Sequence, residues 1–174
     1  MKTALAALLL SSVAVLSPLA GQGDDERSRP TLAGLPGVYV EVSQMKEDAQ
    51  QKGLSETQLR TDVELKLRQA GIRVLTKEEV THTLGLPFLF VSVNTLQPQG
   101  SSHSGLYAFA VNVELIQTIC LGRSPSGLTL GRTWNAAGVF GTVGREKLGE
   151  SVRNEVRDAT DQFINAYLAA NPKR

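Results

Sequence analysis

L-Y-A-F-A-V-N-V-E-L-I-Q-T-I-C-L, residues Leu106 to Leu121, is the stretch whose reading decides the fold. Its odd positions are Tyr107, Phe109, Val111, Val113, Leu115, Gln117, Ile119 and Leu121, and its even positions include Ala108, Ala110, Asn112, Glu114, Thr118 and Cys120. Successive side chains of a strand point to opposite faces, so this period-2 alternation predicts a strand with one face buried. At roughly 3.3 Å per residue the strand would be on the order of 50 Å long, so a bend, a bulge or partial pairing is expected within it. It is the candidate central strand of a sheet.

The flanking segments supply the other layers. Val38, Val40 and Val42 alternate with Tyr39 and Glu41, predicting a first strand. Ser55 and Gln58 have the spacing of a capping box, and Leu54 and Leu59 that of a hydrophobic staple. Leu59, Val63, Leu67 and Ala70 then mark one face of a helix from about Glu56 to Ala70, closed by Gly71. Ile72 to Leu75 reads as a short strand, which makes strand, helix and strand a right-handed parallel crossover. Thr76 and Glu79 form a second capping box, and Phe88 to Leu96 alternates as a third strand. Gly100 to Gly105 is a turn, and beyond Ser124 to Gly127 the residues Leu128, Leu130, Arg132 and Trp134 share a face in a fifth strand. Leu148, Val152, Val156, Ala159, Phe163, Tyr167 and Ala170 recur every three or four residues, predicting a long amphipathic helix from Arg145 to Ala170. The expected fold is α+β: a two-layer sandwich of a mixed sheet of about five strands (β-α-β-β-β-β-α) with two helices on one face.

Composition places the chain among ordinary globular proteins, with 174 residues, 41% hydrophobic and 20% charged. Lys2, the apolar run from Ala4 to Leu16 and the small residues Ala20 and Gly21 read as a signal peptide over residues 1–21, too short in its apolar part for a membrane anchor. Residues 22–36, polar and then broken by Pro30, Gly34 and Pro36, read as a flexible linker, and 37–174 as a single domain. A periplasmic or secreted location follows. Without Lys2 the chain carries seventeen basic and seventeen acidic residues, which gives no electrostatic reason for nucleic acid or an anionic membrane as partner. Cys120 is the single cysteine, so the domain has no intrachain disulfide.

Five places carry residues that could do chemistry or bind. Gly138, Gly141 and Gly144, followed by Arg145 and Lys147, lead from the fifth strand toward the long helix; such a junction can offer backbone N–H groups and a helix N-terminus to a small anion, although it matches neither dinucleotide nor P-loop spacing. The bland reading is a glycine turn. Cys120 would need a base and a lowered pKa to act as a nucleophile, and the usual place of such a residue is a strand interior. His82 and His103 have no metal-ligand spacing, so neither metal nor cofactor is called for. Arg132, on the inferred apolar register, points either to a partner carboxylate such as Glu114 on the neighbouring strand or to a bulge. Asn112, Glu114 and Thr118 mark the even-numbered face as the wet one, where a partner is to be sought.

D-Q-F-I-N-A-Y-L-A-A-N-P at Asp161 to Pro172 and L-R-Q-A-G-I-R-V-L at Leu67 to Leu75 resemble segments of small exported bacterial proteins. More distantly, the element order resembles the N-terminal α/β domain of TolB and of related envelope lipoproteins. L-A-G-Q at Leu19 to Gln22 has glutamine where such a lipoprotein has its acylated cysteine. The resemblance implies a non-enzymatic binding or scaffold domain that meets an envelope protein. A small-ligand binder using Gly138 to Lys147, or an enzyme using Cys120, are the alternative expectations.

Overall fold

The computed structural model describes residues 24–97 and 105–172; the expected signal peptide, the expected turn up to residue 104 and His103 lie outside them. The elements are β1 (Tyr39–Val42), α1 (Glu47–Gln50), α2 (Glu56–Gln69), α3 (Lys77–Thr81), β2 (Phe88–Leu96), β3 (Leu106–Leu121), β4 (Ser124–Asn135), β5 (Val139–Gly144) and α4 (Leu148–Ala170). They form an α+β fold with one mixed five-stranded sheet.

β3 organises that sheet along both of its edges. On one edge β2 pairs with it antiparallel from Leu96↔Ala108 to Phe88↔Ile116, and β1 pairs parallel with β2 beyond. On the other edge β4 and β5 follow one another like a single interrupted strand. β4 takes Glu114 to Leu121, and β5 takes Leu106 to Val111. Between them Ala136 is buried and its N–H still donates to the Val113 carbonyl. Pairing on both edges from Ala108 to Ile116, and on the β4/β5 edge nearly throughout, explains how so long a strand is held.

The odd-numbered side chains Tyr107, Phe109, Val111, Val113 and Leu115 are all buried, as the alternation requires. α2 and α4 cover them. Leu59, Val63 and Leu67 come from α2, and Leu148, Val152, Val156, Ala159 and Phe163 from α4, joining the strands in one core. Ser55 caps α2 by accepting the Gln58 N–H at 3.4 Å, and both halves of the Thr76/Glu79 capping box are present on α3. Arg153 to Asp62 (2.8 Å) and Lys66 to Asp161 (2.8 Å) tie the two long helices at the surface, each worth roughly 0–1 kcal/mol.

Three expectations need correction. Ile72 to Leu75 contributes a single parallel bridge, Val38↔Val74, in place of a strand. The fifth strand is instead β5, built from the glycine-punctuated residues read as a junction. Trp134 also parts company with Leu128, Leu130 and Arg132: Leu115 pairs with Trp134 but Ile116 pairs with Arg132, so Thr133 is the extra residue of a bulge. That insertion turns Trp134 into the core, 5.3 Å from the Phe163 ring, and sends Leu130 and Leu128 out.

Residues 24–36 form a strap in place of the expected linker. A 3-10 turn at Arg29–Leu32 buries Leu32 completely, and Leu35 is buried beside it. The Tyr167 hydroxyl donates to the Leu35 carbonyl at 2.9 Å, and the Asn171 side chain donates to the Leu32 carbonyl at 2.9 Å while accepting from the Gly34 N–H at 2.7 Å. Asp24 accepts from the Trp134 indole at 3.1 Å and from Arg29. The strap's two apolar residues were hidden from a reading of polarity because the charged ones outnumber them.

Two outcomes follow for the strap. Leu32→Ala should cost about 2–5 kcal/mol in denaturant unfolding, the usual loss for a fully buried leucine; a tether would lose nothing. The hydrogen bond from Arg29, helped by that from Trp134, holds the Asp24 carboxyl below its ordinary value of 3.8. Its stabilisation is therefore present above that value and is lost as pH falls through the lower folded value. Acid titration followed by Trp134 fluorescence should show a transition there that Asp24→Asn removes.

Candidate functional site

Both long helices lie against the odd-numbered side of β3, and among the described residues no second layer covers the opposite face of the sheet. Cross-strand partners share a face, which places on it Ala110 with Phe140, Glu114 with Phe90, Ile116 with Phe88 and Arg132, and Thr118 with Leu130. Phe140 is 82% exposed, Leu128 70% and Leu130 53%. Five of the eight exposed large hydrophobic residues among those described belong to this face, the other two being Leu96 and Leu106. Apolar side chains concentrated on one uncovered surface mark an interaction site more often than scattered ones do.

Asn112, Glu114 and Thr118 lie on this face, half-buried in the row of β3. Asn112 reaches the Ser92 hydroxyl of β2 at 3.5 Å. Glu114 accepts from the Arg132 guanidinium at 2.7 Å, so both structural accounts of Arg132 hold: it has its carboxylate partner, and the strand bulges beside it. From β2 to β5 these two are the charged residues that point outward. On the same face stand Phe88, Phe90, Ile116 and Leu130 beside the pair and Phe140 beyond the Asn112–Ser92 row, a ring of apolar side chains interrupted by that row. The ring was invisible in sequence. Its members come from four strands, Leu130 takes its side from the Thr133 bulge, and Phe140 lies within the expected glycine junction.

Close approach across strands explains Gly138 and Gly141, while a Cβ at Gly144 would meet nothing within 4 Å. An added Cβ at Gly141 would sit 2.6 Å from the Phe109 ring, and one at Gly138 would sit 2.9 Å from Asn112 Oδ1. Phe109 and Gly141 are direct cross-strand partners, with the aromatic ring covering the glycine. Gly144 opens a 3-10 turn, Arg145–Lys147, before α4 begins, and Arg145 and Lys147 are exposed there. These five residues are thus spread along a strand and a turn. Cys120 is exposed on the outer face with its sulfur 4.0 Å from the Leu121 carbonyl, and His82 caps the end of α3 in solvent. Among the described residues, no group of three or more His, Cys, Asp or Glu could hold a metal ion. A groove of about 650 Å³ runs between α2 and α4 over Leu59, Val63 and Val156, and the Asp62–Arg153 ion pair lies along it.

The fold and the face define a class: a two-layer α+β domain with one sheet surface open. No family model and no curated protein matches the chain. Among solved structures it is similar to the crystal structure of rare lipoprotein B from Shewanella oneidensis, with a TM-score of 0.38 and 11% identity over 76% of this chain and 94% of that one. Among the described residues no helix is long and apolar enough to cross a membrane.

Gly141→Ala separates packing from ligand contact at this glycine. With the Phe109 ring in the way, it should lower stability by roughly 1–3 kcal/mol, measured by denaturant midpoint, and Phe109→Ala in the same chain should remove most of that penalty.

Proposed function

We propose that the chain is an exported, non-enzymatic protein-docking domain of the cell envelope that works through the open face of its sheet. The observation that carries this reading is the concentration of exposed apolar residues, headed by Phe140, on the sheet surface that no described residue covers with a layer. The apolar run after Lys2 supports export. A neutral set of aromatic and aliphatic side chains beside one ion pair has the makeup of a protein interface core, where charges are depleted and aromatic residues enriched.

Photo-crosslinking residues placed at Phe140 and Leu130 in the native cell should give protein adducts, whereas the same probe at Arg157, on the solvent side of α4, should give none. Equal labelling from both sides, or none from either, would remove the docking role. Fractionation of the same cells should place the chain outside the cytoplasm.

A further inference from the structure

We infer that the occupant of the open face is a second copy of this chain, packed face to face as the missing layer of a β-sandwich, an assignment that rests on the docking role proposed above. Two features point to self-pairing. The first is extent. At about 16 Å² of sheet per residue, from a rise of roughly 3.3 Å and a spacing of about 4.8 Å, the five strands offer on the order of 700 Å² of face. Two fully overlapped copies would then bury up to about 1,400 Å², within the range of standard stable interfaces.

The second feature is charge. A two-fold symmetric interface must be complementary to itself. Glu114 on β3 and Arg132 on the edge strand β4 stand side by side at 2.7 Å on the face. A two-fold axis lying in the interface plane, between the two groups and perpendicular to the line joining them, sets each carboxylate opposite the partner's guanidinium. Apolar side chains that flank the pair on the two copies are then brought together across the axis. A face carrying a single sign of charge would repel its copy; this one has a neutral pair of charges whose two halves attract.

Sedimentation velocity on the purified full chain, run across a hundredfold concentration range, tests this. The wild-type chain should pass from monomer to dimer. Glu114→Arg and Arg132→Glu should each weaken the dimer roughly a hundredfold, because like charges then face each other. An equimolar mixture of these two variants should dimerise again, since one contributes two cations and the other two carboxylates. Circular dichroism verifies that both remain folded, and Phe140→Asp, at an exposed position, provides a third disruption independent of the ion pair. A wild-type chain that stays monomeric throughout, single reversals that dimerise like wild type, or a mixture that stays monomeric would each overturn self-pairing. If the chain is monomeric while the probe at Phe140 still captures an envelope protein, self-pairing falls and the docking role stands.

Discussion

Two long helices can cover one face of a five-stranded sheet, and in this chain both lie on the same side. That constraint begins in β3, whose buried residues Tyr107 to Leu115 all stand on one face. Hydrogen bonding on both edges of β3 satisfies its backbone, so the strand is committed to the sheet along nearly its whole length. With the helices supplying the odd-numbered side, no described residue forms a layer over the even-numbered side. The core and the open face are therefore two results of one alternating pattern.

The strap closes the other side of the molecule. Leu32 and Leu35 add to the core where α4 ends, and Tyr167 and Asn171 hold the strap's carbonyls. Trp134 joins three layers: it lies on β4, its ring meets Phe163 of α4, and its indole N–H reaches Asp24 at the start of the strap. Loss of order in residues 24–36 would thus expose the tryptophan end of the core as well as the leucines.

Much of this was legible in the sequence where the signal was local. The alternation of Leu106 to Leu121, the caps at Ser55 and Thr76, and the apolar stripe from Leu148 to Ala170 each fixed an element from neighbouring residues alone. What escaped depended on distant ones. β5 looks like a glycine junction in sequence because Gly138 and Gly141 make sense only when Asn112 and Phe109 lie across from them. Leu128 and Leu130 were grouped with Trp134 because strict alternation cannot foresee one inserted residue. The strap was read as a tether since two leucines among many polar residues give no period. Asn112, Glu114 and Thr118 were placed on the wet face, yet the aromatic side chains that share it required the pairing of strands distant in sequence.

The bulge at Thr133 acts as a parity switch for the chain. Every residue of β4 toward the hairpin takes its side from that one insertion, so a single-residue deletion there would exchange the interior and exterior of the whole segment at once. Leu128 and Leu130 would turn toward the helices while their neighbours took the open surface. Length variation at this point is consequently a change of surface chemistry. Descendants of this sequence can alter what the sheet presents to its surroundings in one step, without substituting any of the side chains that do the presenting.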